Sequence, residues 1–268
     1  MTDSVVFNHL SAHFHQKIYA THKGQIRLAV INADLEHYLA QRTSLNVLDI
    51  GAGGGQMALL LAQKGHQLTL LEPAVEMQDK AKQLFEAAQL PANFILGGFA
   101  DLGQFQAQCF DVILCHAVLE WLDSPLSYFQ MIQRLLKNNG LLSLAFYNKS
   151  GLILHNLIRG NLNAAQANAS TDSISILSDS ELTRKKKLHK GLTPINPLDP
   201  QAVASALQAH HFDILQESGI RIFHDFMAKA TRDRLPFDQI LQHELNHRHH
   251  SDFKRIARYV HWVCQKKA

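Results

Sequence analysis

The residues with the clearest potential for chemistry form a short glycine loop behind an apolar run. Asp49 lies at the end of that run, and Gly51, Gly53 and Gly55 follow at alternate positions. Glycines at this spacing let the backbone pass close to a ligand where any Cβ would collide. A dinucleotide fingerprint requires glycine where this chain has Gln56, so no ideal pyrophosphate site forms. The loop predicts a site for a nucleotide-like ligand, with an ordinary strand-to-helix turn as the alternative.

Four further candidates lie at or just after the ends of later apolar runs. Glu72 lies about 20 residues beyond the loop, where a nucleotide site places a carboxylate against ribose hydroxyls. A role at the start of the next helix is its alternative. Phe99 and Ala100 follow the third run, where an adenine ring would lie, although Phe99 suits the core equally well. His116 ends the fourth run, where a bound ligand should meet its reaction partner, and a structural histidine is the alternative.

These residues meet only if the runs form one parallel sheet. From residue 46 to residue 148, β-rich apolar runs alternate with helix-like segments, which predicts a parallel sheet covered by helices on both faces. The sequence Asn138-Asn139-Gly140 is predicted to end the last of these helices. The predicted strands are Asn46–Ile50, Gln67–Glu72, Asn93–Gly97, Phe110–His116 and Leu141–Tyr147, and the predicted helices are Gly55–Lys64, Val75–Ala88 and Pro125–Lys137.

The flanking segments complete a single predicted domain, residues 1–268. Phe212–Gln216 and Arg258–Gln265 are predicted to close the sheet as an antiparallel pair, with a largely helical stretch between them. Residues 1–45 are predicted to form an N-terminal helical cap. Residues 149–200, with a helix at Leu152–Arg159 and then a polar stretch, are predicted to be an insertion or lid.

Composition excludes several classes of protein. A chain of 268 residues with 46% apolar content can bury a substantial core, which excludes disordered and fibrous proteins. No apolar run approaches the roughly 20 residues that cross a bilayer, and Met1–Asn8 lacks the features of a secretory signal. We therefore expect a cytoplasmic protein with no membrane partner. Three widely spaced cysteines match neither a disulfide framework nor a zinc pattern, and a net charge of +3 does not by itself indicate a polyanionic partner.

The glycine loop resembles that of class I methyltransferases, and longer stretches resemble one family. Nearly the whole chain, from Phe7 to Cys264, is similar to the bacterial tRNA 5-carboxymethoxyuridine methyltransferase family, whose members methylate the carboxylate of a modified wobble uridine. The specific part of the resemblance is the combination of His116–Trp121, Phe146–Asn148 and Arg221–Asp225 at these spacings. The other matching stretches are Ile18-Tyr19, Lys23–Arg27, Leu48–Gln56, Leu154–Asn156, Lys185–Lys187 and Arg258–His261.

The resemblance implies a fold, a cofactor and a substrate. The fold is a class I, Rossmann-like, mostly parallel sheet, the cofactor is S-adenosylmethionine, and the partner is tRNA bearing 5-carboxymethoxyuridine, with no obligate protein partner. Arg27 would hold the methionine carboxylate of the cofactor. The other implied cofactor contacts are Gly51, Ala52, Gly53, Glu72, Phe99, Ala100 and His116. Ala52 replaces a family glycine and Glu72 a shorter aspartate, so the hydrogen bonds at these two positions are left open.

A carboxylate acceptor is already ionised at neutral pH, so we expect catalysis by alignment, with no required general base. We also expect a cationic or hydrogen-bonding clamp for that carboxylate; packed aromatics or surface bases are the alternative for each candidate. The candidates are Tyr19, Tyr147, Asn148, His155, Arg159, Arg221 and His224. Arg184, Lys185, Lys186, Lys187 and Lys190, with His189 among them, are candidates for binding tRNA phosphates, and a solvated charged loop is their alternative.

Three competing functions are considered, a zinc protease among them. His243-Glu244-Leu245-Asn246-His247 fits the zinc-protease pattern H-E-x-x-H, but the residues after His247 lack its extension and third ligand, so we expect no metal. A small-molecule carboxylate methyltransferase of the same fold is the second alternative, because fold does not fix substrate. A cofactor-binding regulatory protein without catalysis is the third. The sequence leaves open the tRNA species and the oligomeric state.

Overall fold

A seven-stranded sheet organises the part of the chain that the computed structural model describes, residues 21–169 and 196–268. The strands are β1 (Asn46–Ile50), β2 (Gln67–Glu72), β3 (Asn93–Leu96), β4 (Phe110–His116), β5 (Leu136–Tyr147), β6 (Phe212–Ile220) and β7 (Tyr259–Lys266). Their order is β3-β2-β1-β4-β5-β7-β6. The first five pair in parallel, and β7 is antiparallel to both β5 and β6. The predicted mostly parallel class I sheet and its antiparallel closing pair are confirmed.

Helices cover both faces of the sheet. They are α1 (His22–Leu39), α2 (Gln56–Gln63), α3 (Val75–Ala87), α4 (Phe129–Leu135), α5 (Lys149–Ile158), α6 (Leu162–Ala169), α7 (Pro200–Ala209), α8 (Lys229–Arg234), α9 (Phe237–His247) and α10 (Ser251–Ile256). Alternate strand residues enter two separate cores, so that Leu48 packs with α4 and α7 while Val47 packs with α1, α2 and α3. None of these helices is long and apolar enough to cross a membrane.

The predicted helix end at Asn138-Asn139-Gly140 is wrong. Helix α4 ends at Leu135, and β5 begins at the next residue. Register with β4 jumps from the pair Phe110–Leu136 to the pair Val112–Leu141, and Asn139 has a left-handed φ of 60°. The turn residues therefore form a bulge within β5, because an Asn-Gly sequence that permits positive φ serves a bulge as well as a helix end.

One edge of the sheet gathers most of the candidate residues. The parallel strands end there, at Ile50, Glu72, Leu96, His116 and Tyr147. Strand β7 starts at the same edge, since Tyr259 pairs with Tyr147, and β6 ends there, since Ile220 pairs with Tyr259. Ligands of open α/β sheets bind outside the carboxyl ends of the strands, so this edge is where a site is expected.

Candidate active site

The glycine loop between β1 and α2 requires glycine at two positions for different reasons. Gly51 has φ +66° and donates its N–H to the Leu71 carbonyl at 2.8 Å; a Cβ there would lie 2.6 Å from Val118 Cγ2. Gly55 has φ +77°, and a Cβ there would lie 3.0 Å from Ala81 Cβ. The loop is thus a left-handed, tightly packed turn at the carboxyl edge, in which only Gly51 and Gly53 are partly accessible.

Glu72 fastens this loop to the next strand. Its Oε2 accepts from the Gly53 N–H at 2.8 Å, and its Oε1 accepts from the Ala74 N–H at 2.9 Å. Burial raises the pKa of Glu72, while these two amides oppose the rise. Each carboxylate oxygen accepts one bond here and has a further lone pair, which leaves capacity for ribose hydroxyls. Glu72 therefore has the structural role before the next helix that the sequence offered as an alternative. Its contact with a ligand stays a prediction.

Asp49 is a feature that sequence reasoning did not single out as a site residue. It is 4% exposed and lies on β1 just before the loop. Burial, followed by the nearby Glu72 charge, raises its pKa to about 8. Two carboxyl groups desolvated together favour a ligand that donates hydrogen bonds or carries positive charge.

Phe99 and Ala100 lie in a 3-10 helix, Phe99–Gln104, beyond β3. The Phe99 ring is 5% exposed and packs against Tyr128, with ring centroids 4.3 Å apart. Ala100 is exposed. Asp101 holds the turn by accepting the Gly98 N–H at 2.8 Å. Phe99 is thus part of the core and also borders the carboxyl edge.

His116 and Arg27 approach the same region from β4 and α1. The His116 Nε2 lies 2.8 Å from Ser143 Oγ. Burial, followed by the charge effects of His261 and Arg27, holds the pKa of His116 well below its usual range, so its ring is neutral. Arg27 is partly buried, and its charge also acts on Glu120.

Glu120 lies within the motif His116–Trp121, and the sequence pattern predicts no role for it. Its side chain is fully buried, and neither carboxylate oxygen makes a hydrogen bond of normal geometry within the described residues. The Tyr259 hydroxyl and the Tyr147 backbone nevertheless lie close enough to favour its ionised form. Burial raises its pKa to about 7, although the Arg27 charge opposes the rise. A buried carboxyl group with a raised pKa and no hydrogen bond of normal geometry, near a predicted cofactor residue, is typical of a binding site.

Arg221 and Arg258 form a cationic pair around one carboxylate. Asp225 Oδ2 lies 3.5 Å from Arg221 Nη2 and 3.7 Å from Arg258 Nε. Burial opposes ionisation of Asp225, but the Arg221 charge and the hydrogen bond from His224 hold its pKa far below its usual range. We call Arg221, Arg258 and Asp225 the cationic cluster. Arg258 was missed as a candidate, although it stands in the motif Arg258–His261.

Two tyrosines line the cationic cluster. The Arg221 guanidinium lies 5.2 Å from the Tyr259 ring centroid, and the Arg258 guanidinium lies 5.0 Å from the Tyr147 ring centroid. Tyr147 ends β5 and Tyr259 begins β7, and the two are register partners. The sheet therefore places the cluster at the ends of β5 and β7, one and two strands away from the end of β4 that carries His116.

The remaining clamp candidates differ in burial and in which of their polar atoms are already hydrogen-bonded. Asn148 donates to the carbonyls of Arg255 and Ala257, and its Oδ1 accepts from Ser150, so its side chain serves as a structural cap. His224 Nε2 is buried and unpaired within the described residues, whereas its Nδ1 contacts Asp225. His155 is 9% exposed, and burial, followed by the Arg258 charge, lowers its pKa to about 4. Arg159 is exposed at the end of α5. Tyr19, Arg184–Lys187 and Lys190 lie outside the described residues.

The H-E-x-x-H sequence lies on α9 with its glutamate turned inward. Glu244 is fully buried and accepts the backbone N–H groups of Ile222, Phe223 and His224. The Glu244 carboxylate therefore holds the segment that carries Arg221, and these three bonds occupy its oxygens. Within the described ranges, no group of three or more His, Cys, Asp or Glu side chains is arranged to hold a metal ion.

Comparison with known proteins agrees with this geometry. A family model described as a methyltransferase domain matches residues 48–144. The tRNA 5-carboxymethoxyuridine methyltransferase of Escherichia coli is 34% identical over 264 residues, covering 97% of this chain and 95% of that protein. The chain belongs to the tRNA 5-carboxymethoxyuridine methyltransferase family. It is an enzyme, an S-adenosylmethionine-dependent methyltransferase.

More distant relatives share the fold of this tRNA 5-carboxymethoxyuridine methyltransferase family member. The ubiquinone biosynthesis O-methyltransferase of Actinobacillus pleuropneumoniae is 33% identical over 108 residues, 39% of this chain and 46% of that protein. The magnesium protoporphyrin IX methyltransferase of Synechocystis, solved with bound SAH, has a TM-score of 0.60 at 14% identity, covering 97% of this chain and 96% of that one.

The loop fits S-adenosylmethionine on its own structural evidence. A Cβ at Gly51 would lie 2.6 Å from Val118 Cγ2, so glycine lets the turn pack directly against Val118 at the carboxyl edge. Asp49, Glu72 and Glu120 are buried carboxyl groups near the carboxyl edge, and their chemistry suits the hydroxyl and ammonium groups of such a cofactor.

Proposed function

We propose that this enzyme methylates the carboxylate of 5-carboxymethoxyuridine at the wobble position of tRNA, giving the methyl ester. The name of the Escherichia coli relative supports the substrate. In this chain, the supporting observation is the surplus positive charge of the cationic cluster, in which Arg221 and Arg258 share the single carboxylate of Asp225. Such a surplus suits an anionic group on the substrate.

The cationic cluster has hydrogen-bond donors to offer. Arg221 Nε and Arg258 Nη1 are buried and have no partner within the described residues. A substrate carboxylate accepting from both would satisfy two groups that are otherwise desolvated at a cost in free energy. The rings of Tyr147 and Tyr259 hold the two guanidinium groups in place, which limits the entropy lost on binding.

The remaining steps follow from the protonation states of the residues. When bound, S-adenosylmethionine supplies an electrophilic methyl group on a sulfonium centre. The substrate carboxylate is ionised at neutral pH, so it needs no base to attack. His155 is a weak base because its pKa is about 4. The chain then contributes chiefly by alignment, with Arg27 and Glu72 as proposed cofactor residues and the cationic cluster as the proposed substrate clamp.

The decisive experiment is transfer of labelled methyl from S-adenosylmethionine to tRNA carrying 5-carboxymethoxyuridine, with mass analysis of the nucleosides. A methyl ester on that uridine would support the cofactor, the substrate and the acceptor atom together. Cofactor binding without transfer to this tRNA would contradict the proposal and point to a small-molecule carboxylate or a regulatory role.

A pair of variants tests the cationic cluster. Arg258→Met removes the charge at similar length, and we expect kcat/KM for tRNA to fall about 10- to 100-fold, the loss of a charge-assisted hydrogen bond. Cofactor affinity measured by calorimetry should not change. Arg255→Met is the control, because Arg255 lies three residues away and is exposed. Equal activity of the two variants would remove Arg258 from the clamp.

A further inference from the structure

A chain of buried polar side chains leads from His116 away from the site. His116 Nε2 lies 2.8 Å from Ser143 Oγ, which lies 2.8 Å from His261 Nε2. His261 Nδ1 lies 2.7 Å from Asp34 Oδ2, and Arg248 Nε donates to Asp34 Oδ1 at 2.9 Å. Ser143, His261 and Asp34 are each fully buried. The methyl-transfer chemistry described above uses none of these three.

The sheet register and α1 account for this alignment. His116 and His261 both pair with Ala145, one from each neighbouring strand, and Ser143 lies two residues before Ala145 on the same face of β5. Asp34 reaches the chain from α1, which packs on that face. Arg27, on the same helix, is seven residues before Asp34, and this spacing places both on one side of the helix.

We propose that Asp34, His261 and Ser143 are positioning residues that fix the tautomer of His116, so that its Nδ1 is a bare acceptor for an N–H or O–H donor of the bound cofactor. This inference rests on the proposed role of His116 at the cofactor site. We call the four side chains the histidine relay.

The direction of the histidine relay follows from its anchored end. Burial opposes ionisation of Asp34, but hydrogen bonds with His261, Ser218 and Arg248 hold its pKa below the usual range. An ionised carboxylate only accepts, so the proton lies on His261 Nδ1. In the proposed relay His261 keeps this single proton, so its Nε2 accepts from the Ser143 hydroxyl. Ser143 Oγ in turn accepts from His116, which places the His116 proton on Nε2.

Asp34→Asn tests the direction of the relay. Arg248 Nε is a donor, so the asparagine oxygen must face it and the asparagine NH2 must face His261. Every donor in the relay then reverses, and the His116 proton moves to Nδ1. Imidazole 15N NMR, with the His116 signal assigned from a His116→Gln variant, should show the Nε2-H tautomer in the wild type and the Nδ1-H tautomer in Asp34→Asn. Unchanged tautomers in a folded Asp34→Asn variant would overturn the proposal.

Ser143→Ala breaks the relay in the middle and tests its effect on binding. We expect the dissociation constant for S-adenosylmethionine to rise about tenfold, the loss of one orienting hydrogen bond. Ser218→Ala is the matched control, because Ser218 is nearly as buried and lies on β6, one strand beyond His261 and away from His116. Arg248 and His261 still bind Asp34 in this variant. Cofactor affinity should stay unchanged in Ser218→Ala.

The two proposals fail separately. If wild-type protein binds S-adenosylmethionine and methylates tRNA while Ser143→Ala binds the cofactor as well as Ser218→Ala does, the histidine relay is refuted and the function stands. If wild-type protein binds the cofactor but transfers no methyl group to tRNA, the function is refuted, and the tautomer experiment still decides the relay.

Discussion

Replacing Glu120 with glutamine removes a buried ionisable group while keeping the shape of the side chain. Burial raises the pKa of Glu120 to about 7 from an ordinary value of 4.5. That difference corresponds to about 3 kcal/mol of folding free energy that depends on pH. The group is fully buried, so solvent does not screen the effect.

The sign follows from which state holds the proton. Between about pH 4.5 and about pH 7, the folded state keeps the Glu120 proton and the unfolded state releases it, so wild-type stability falls as pH rises. Glutamine does not titrate. The free energy of unfolding of Glu120→Gln relative to wild type should therefore rise by about 3 kcal/mol from about pH 5 to about pH 8.

Urea unfolding of the cofactor-free protein across this pH range measures the difference. A constant penalty from burying the new amide shifts all points equally and leaves the slope intact. Glu86→Gln is the control, because Glu86 is exposed on α3. Parallel pH profiles for wild type and Glu120→Gln would refute the reasoning.

Three other changes have defined outcomes. Gly51→Ala and Gly65→Ala both place a side chain at positive φ, which costs about 1–2 kcal/mol of stability each, but only the Cβ at position 51 would clash, at 2.6 Å from Val118. Calorimetry should therefore show lost cofactor binding for Gly51→Ala alone, and equal binding by the two variants would contradict the steric argument. Charge reversal at Lys185–Lys187 should weaken tRNA binding in gel-shift titrations and leave cofactor affinity intact, and the wild-type affinity for tRNA should fall steeply with salt. Unchanged tRNA affinity in the variant would favour the solvated charged loop instead. Glu244→Gln should lower the free energy of unfolding by about 2 kcal/mol, because the Glu244 carboxylate accepts three backbone N–H groups. If chemical denaturation shows no such loss, Glu244 does not have this structural role.

Periodicity located nearly all the strands, because strand burial is a local property of the sequence. Strands β1, β2 and β4 have the predicted bounds, and the antiparallel pair was placed within a few residues. The bulge at residues 137–140 was missed, because Asn-Gly permits positive φ in a helix end and in a bulge alike. Only the pairing of β5 with β4 decides between a helix end and a bulge.

The residues of the candidate site also fall into two groups, those that the sequence pattern indicates and those that only the fold brings together. The loop from Gly51 to Gly55 and the acidic residue Glu72 are visible in sequence, because close backbone approach and a strand-end carboxylate leave a fixed spacing. The cationic cluster is not, since Arg221 and Arg258 lie 37 residues apart and meet only because β6 and β7 are antiparallel neighbours.

By itself, the sequence determined the class of fold, the cofactor loop and the family, each of which depends on residue type at short spacing or on similarity along the whole chain. Only the tertiary structure decided what the shared residues do. It made Asn148 a cap and turned Glu244 inward, and it joined Asp34 to His116 through two other strands. Hydrogen bonds between distant residues depend on sheet register and helix packing, and neither leaves a local pattern in the chain.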